Sequence, residues 1–245
     1  MVRSQLRRAG LMGPAGLVAG LALGPAAATA AECRLALVLA LDVSSSVDPG
    51  EYDLQKLGLA AALGSIPVRE ALTNVTGGYV TLAVFEWSGR YQQKVVLDWT
   101  RMDDPAAIDT AVAVIATAER SYSRFPTAIG YALGYASTLL KRAPECRRRV
   151  IDLSGDGVNN EGFGPDLAYR NFPLDGVTVN GLVILGQDAD VLPFYRNEVR
   201  RGDGAFVETA SGFEDFSAAM TRKLFRELND VMVGEVDAPY PDERG

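Results

Sequence analysis

From residue 35 to residue 233, apolar runs that fit buried strands alternate with segments of helical period. Leu35–Leu41 is seven apolar residues in a row, the pattern of a parallel strand covered on both faces. Asp48-Pro49-Gly50-Glu51 has the form of a helix start, with Asp at the N-cap, Pro at N1 and Glu at N3. The helix is expected to run to about Ser65, where Pro67 limits it. Tyr79–Glu86 reads as a second strand. Lys94–Trp99 reads as a short third strand returning antiparallel at an edge. Asp104-Pro105 opens a helix through about Ala118, with Ile108, Val112 and Ile115 on one face.

Thr127–Lys141 is a helix rich in small residues, and Arg149–Ser154 a strand followed by the tight turn Gly155-Asp156-Gly157. The polar segment with Asn159, Asn160 and Gly162 reads as a loop. Val177–Leu185 is a strand, Leu192–Arg200 a short helix and Ala205–Glu208 a last strand. Phe213–Val233 is a long amphipathic helix with Phe216, Met220, Leu224 and Leu228 on its inner face. The order predicts an α/β fold of Rossmann-like, doubly wound type. Its six-stranded sheet would be mostly parallel, with one short antiparallel edge strand and helices on both faces.

The first strand ends in Asp42-Val43-Ser44-Ser45-Ser46. Open α/β sheets place ligand sites at the carboxyl ends of their strands. Alternate residues of an extended segment share a side, so Asp42, Ser44 and Ser46 turn toward one point. One carboxylate and two hydroxyls form a hard-oxygen set suited to Mg²⁺ or a similar ion. Two further elements bear on that point. Thr127 follows Pro126 at a helix start, and Asp156 follows the strand that ends at Ser154. Each alone is an ordinary cap or turn.

Composition narrows the chemistry. The 245 residues include no histidine, which excludes Ser-His-Asp and Cys-His catalysis and imidazole-ligated zinc. The formal charge is −7, with no basic block beyond the N-terminus, so no nucleic-acid partner is expected. No glycine fingerprint for a dinucleotide or a P-loop is present. Arg3, Arg7 and Arg8, the apolar segment Leu11–Leu23 and Ala28-Thr29-Ala30 have the form of a cleaved export signal over residues 1–30. The domain is then expected over 31–234, with a Pro- and acid-rich tail over 235–245. No other segment is long and apolar enough to span a bilayer. Export to the periplasm or the medium would place Cys33 and Cys146 in an oxidising compartment. If the strands beside them are parallel neighbours, both sulfurs lie at the amino-terminal edge of the sheet, where a disulfide could form.

Asp42-x-Ser44-x-Ser46, the distant Thr127 and Asp156-Gly157 together resemble the von Willebrand factor type A (VWA) domain and its metal-ion-dependent adhesion site. LALVLALDVSSSVD, Glu86-Trp87-Ser88-Gly89, TAIGYAL and LSGDGVNN are similar to a bacterial secreted branch of that family, a domain of unknown function (DUF1194-like). The resemblance covers nearly all of residues 33–233. It implies that Ser44, Ser46 and Thr127 hold a divalent cation, Mg²⁺ first and Mn²⁺ or Ca²⁺ as alternatives. It also implies that Asp42 and Asp156 orient coordinated waters. An Asp or Glu of a protein partner would fill the open position. The family's strand order sets the first and fourth strands side by side, bringing Cys33 near Cys146. Ser45 stands where the family often has Gly, and Ser123-Arg124-Phe125-Pro126 is bulkier than the family's Gly-rich residues there. Trp87, Arg90 and Arg124 are candidates for the rim that meets the partner. The resemblance thus points to a binding module and not an enzyme. A metal-assisted hydrolase or phosphatase working through Asp42 or Asp156, and a scaffold without metal, are the alternative readings.

Overall fold

The computed structural model describes residues 32–73, 78–186 and 188–233. The expected export signal and the tail lie outside these residues. The elements in chain order are β1 (Cys33–Asp42), α1 (Pro49–Gly64), α2 (Ile66–Thr73), β2 (Tyr79–Trp87), β3 (Gln93–Arg101), α3 (Pro105–Ala116), α4 (Ile129–Leu140), β4 (Cys146–Gly155), α5 (Pro165–Asn171), β5 (Val177–Ile184), α6 (Val191–Phe194), β6 (Val207–Ala210) and α7 (Phe216–Val233). A π-helical turn, Tyr195–Val199, continues α6.

The six strands lie in the order β3-β2-β1-β4-β5-β6. All neighbours are parallel except β2 and β3. Every residue of β1 is buried, as its unbroken apolar run requires. One face of the sheet carries Leu35, Leu37, Leu39 and Leu41 with Val150 and Leu182, and packs with Leu59, Ile108, Phe216 and Leu224 of α1, α3 and α7. The other carries Ala36, Val38 and Ala40 with Ile151 and Val183, and packs with Ile129 and Leu133 of α4 and with Tyr195. The small β1 side chains on this second face let α4 approach closely.

Two helices differ from the sequence expectation. The first helix ends at Gly64, capped by Ser65, as expected, but a separate helix, α2, follows with Pro67 in its first turn, where its missing N–H has no partner to lose. The polar segment after Gly164 is not all loop, because Pro165 starts α5. The capping box at Asp48 and Glu51 forms as expected.

The chain order reverses direction in the sheet between β1 and β4, so their carboxyl ends flank the crevice where doubly wound folds bind ligands. At the opposite edge Cys33 pairs in register with Cys146, and the two form a disulfide. Among the described residues no helix is long and apolar enough to cross a membrane.

Candidate metal centre

The carboxyl ends of β1 and β4 and the turn before α4 bring five side chains into one hydrogen-bonded cluster. The Ser44 N–H donates to Oδ1 of Asp42 at 2.7 Å, folding the loop back on the strand end. The hydroxyls of Ser44 and Ser46 are 3.1 Å apart. Ser46 donates to Oδ1 of Asp156 at 2.8 Å, and Thr127 Oγ1 donates to Ser44 Oγ at 3.3 Å. Asp42, Ser44, Thr127 and Asp156 are buried, while Ser46 opens to solvent. All five residues singled out in the sequence therefore meet.

Two buried carboxylates at one site are electrostatically costly. Burial, with the charge of Asp156 beside it, pushes the Asp42 carboxyl up to about 8, and the Ser44 hydrogen bonds and Arg120 offset only part of this. Burial also raises Asp156, against the hydrogen bond from Ser46. Oδ2 of each carboxylate is buried without a protein hydrogen bond. A divalent cation among these oxygens would answer both the charge and the unpaired acceptors, so the residues fit one. Among the described residues no group of three or more His, Cys, Asp or Glu is placed to hold a metal ion. The donor set here is three hydroxyls and two carboxylates, which suits a hard cation.

Thr127 is not itself at the helix start. The helix begins at Ile129, and Thr127 lies in a turn fixed from the 159–161 loop. Its N–H donates to Oδ1 of Asn160 at 2.8 Å, and its carbonyl accepts the N–H groups of Asn160 and Glu161. Asn159 Oδ1 accepts from the Gly130 N–H at 3.4 Å. The two asparagines thus build the loop, as their polarity suggested, and set the Thr127 hydroxyl. A methyl at Gly130 would lie 2.1 Å from the Phe163 carbonyl oxygen, closer than any real contact. Gly130→Ala is therefore expected to push this loop away, costing about 2–3 kcal/mol by overpacking. Urea denaturation measures the cost, and unchanged stability would refute the close approach.

Arg120 was not legible as part of the site. Its guanidinium donates to the carbonyls of Val43, Ser44 and Val47 at 2.8–3.1 Å, clamping the loop that carries the serines. Gln55 of α1 donates to the Asp42 carbonyl at 2.9 Å. Neither residue carries a local sequence signal, since both act on backbone far away in the chain.

The rim differs from the expectation at one position. Trp87 is 0 % exposed and offers no surface to a partner. It ends β2 in register with Asp42, and its carbonyl accepts the Val43 N–H at 2.8 Å. Its ring belongs to the core beneath α4. Arg90 is half-exposed and paired with Glu161. Arg124 is exposed in the loop before Thr127. Beside Asp156 a cavity of about 270 Å³ opens, lined by Glu51, Ile184, Leu185, Phe213 and Glu214 among others.

A family model described as a protein of unknown function (DUF1194) matches residues 32–232. No curated protein matches the chain. Among solved structures, proximal thread matrix protein 1 from the mussel byssus, with a zinc-occupied MIDAS motif, aligns with a TM-score of 0.57 at 17% identity over 80% of this chain and 48% of that one. A von Willebrand factor type A protein from Catenulispora acidiphila aligns with a TM-score of 0.56 at 17% identity, over 82% and 43%. The PilB minor pilin from Streptococcus sanguinis aligns with a TM-score of 0.64 at 15% identity, over 85% and 64%. The chain thus spans less than two thirds of each, and at these identities the likeness is one of fold.

Proposed function

The chain belongs to the family described as a protein of unknown function (DUF1194), with the fold of von Willebrand factor type A domains, and from that premise we propose that it is an exported binding module that captures an acidic group of a protein partner through a divalent cation. The carrying observation is the unbroken cluster Thr127–Ser44–Ser46–Asp156 with Asp42 beneath it. Ser44, Ser46 and Thr127 would hold the cation, and Asp42 and Asp156 would orient its waters. The bound cation, Mg²⁺ first and Mn²⁺ or Ca²⁺ otherwise, supplies a Lewis-acidic position for a partner's Asp or Glu. Arg120 and the Asn160 clamp hold the three hydroxyls in place without ligating. Arg90 and Arg124 would meet the partner around the site.

Export is supported by the disulfide, which suits an oxidising compartment, either periplasm or medium. On this reading residues 1–30 are the export signal and 31–234 the module. A binding role, not turnover, is favoured because the chain has no histidine to serve as a base.

Calorimetry with Mg²⁺, Mn²⁺ and Ca²⁺ tests the reading. The chain is expected to bind at least one of them, and Ser44→Ala to weaken binding at least about tenfold. Affinity is expected to rise from pH 6 to pH 8, because the cation competes with a proton on a carboxylate whose pKa is raised to about 8. Capture of a partner from the cell envelope should need the cation and stop with EDTA. Failure to bind any of the three ions, or unchanged affinity in Ser44→Ala, overturns it.

A further inference from the structure

Behind the cluster, on the sheet face that carries Ile151 and Val183, two diagonally placed positions are glycine: Gly155 of β4 and Gly181 of β5. Leu41 pairs with Ser154, so the next residues, Asp42 and Gly155, lie side by side. Leu153 pairs with Gly181, which carries the bare strip on to β5. Tyr195 lies over this strip. A methyl at Gly181 would come 2.6 Å from Cδ1 of the Tyr195 ring. A methyl at Gly155 would come 2.6 Å from Tyr195 Oη and 2.9 Å from Oδ2 of Asp42. The phenol oxygen and the carboxylate oxygen therefore reach the same small space above Gly155.

Both atoms are buried, and neither hydrogen-bonds to the protein. A buried O–H and a buried carboxylate oxygen without partners are each unfavourable, and native proteins rarely keep them so. Tyr195 is also the first residue of the π-helical turn, an insertion that is uncommon in helices and concentrates at functional sites. The Arg200 N–H closes that turn on the Tyr195 carbonyl at 2.8 Å. Burial first, then the charges of Asp42, Asp156 and Asp152, raises the phenol well above its ordinary range, so it stays a neutral donor.

We infer that Tyr195 is a positioning residue for the metal centre: its phenol O–H is directed at Oδ2 of Asp42, directly or through one water, and fixes the carboxylate whose Oδ1 accepts the Ser44 N–H. Asp42 is then gripped at both oxygens, from the loop on one side and from the π-helical turn on the other. Groups that orient a metal's inner partners in this way commonly change metal affinity ten- to a hundredfold when removed. The two glycines follow from the same need, since a side chain at Gly155 would stand between Oη and Oδ2. The inference rests on the reading of the site as a metal centre.

The test compares Tyr195→Phe with the unaltered chain. The variant keeps the ring that fills the strip and removes only the oxygen, so it is expected to fold, with a Tm lowered by no more than a few degrees because the buried Oδ2 of Asp42 loses its donor. Mn²⁺ affinity measured by calorimetry is expected to fall about tenfold. The carbon chemical shift of the Asp42 carboxyl, read by NMR in metal-free protein, is expected to move. Unchanged Mn²⁺ affinity overturns the inference, as does a carboxyl shift that stays put. If the unaltered chain binds no Mn²⁺, Mg²⁺ or Ca²⁺, the metal reading falls, and the carboxyl shift alone decides whether Tyr195 holds Asp42.

Discussion

Lys223→Met is expected to destabilise the fold by about 3–5 kcal/mol, the usual effect of leaving buried charges without their partner. Lys223 of α7 is fully buried. Its ammonium lies 2.7 Å from Oδ1 of Asp152 on β4 and 2.7 Å from Oε1 of Glu227 one turn along the helix. Glu227 also accepts from Asn180 of β5, whose Oδ1 takes the Phe206 N–H. The network therefore ties α7 to two central strands. Methionine keeps the length of the stem, so no cavity opens and the loss measures the missing charge.

The pH dependence gives this prediction its sign. Burial, then Glu227, raises the Asp152 carboxyl in spite of Lys223. Burial works against the Lys223 ammonium, but Asp152 and Glu227 outweigh it and hold its pKa above the ordinary value. A carboxyl raised on folding binds more protons folded than unfolded, so its contribution is greatest at low pH and fades as pH climbs above about 4. Without the ammonium the Asp152 carboxyl loses the charge that opposes its rise, so its folded form holds its proton more strongly. The cost of Lys223→Met should thus be larger at pH 8 than at pH 5, as read by urea denaturation at both. A cost equal at the two values, or under about 1 kcal/mol at pH 8, would show that the network carries little charge. Replacing all three ionisable residues with apolar ones of similar size should recover much of the loss.

This network also marks where the sequence could be read and where it could not. The inner face of α7 was legible from Phe216, Met220, Leu224 and Leu228, all buried. Lys223 and Glu227 lie on the same face by helical spacing, but polarity assigns them to water, and only the facing Asp152 reverses that. At the site the logic is similar. Asp42, Ser44 and Ser46 were legible because strand alternation and the position at a strand end are local facts. Thr127 was found by its pattern yet placed at the start of a helix that begins two residues later, at Ile129, because its clamp comes from Asn160 in a loop 33 residues later. Arg120 and Tyr195 left no local mark at all, since each acts on backbone or space assembled by the sheet. Trp87 was read as rim because it follows a strand, whereas β3 extends the sheet past it and α4 covers its ring. Alternation and right-handed crossovers pointed to a mostly parallel sheet, whereas the first strand's place beside the fourth was implied only by the family resemblance.

Removing the disulfide tests the opposite end of the same strands. Cys33 and Cys146 close a loop with a sequence separation of 113, so Cys33→Ala/Cys146→Ala is expected to lower stability by about 4–5 kcal/mol in the chain-entropy model. The loop holds β1, α1, α2, β2, β3, α3 and α4. The metal cluster nevertheless lies at the far ends of β1 and β4, ten residues along each, or about 30 Å at strand rise. Effects of changes so far apart are expected to add and not to couple. Urea denaturation of the double variant should therefore show the loss in stability, while calorimetry under native conditions returns the cation affinity of the unaltered chain. The strands between the two ends explain the separation. With β1 buried along its whole length and paired on both sides, its carboxyl end is held by the core and by Arg120, not by the link at Cys33. A fall in cation affinity of tenfold or more in the double variant would mean that the link at the amino-terminal edge sets the geometry of Asp42, and would contradict the rigid central strand on which the whole site depends.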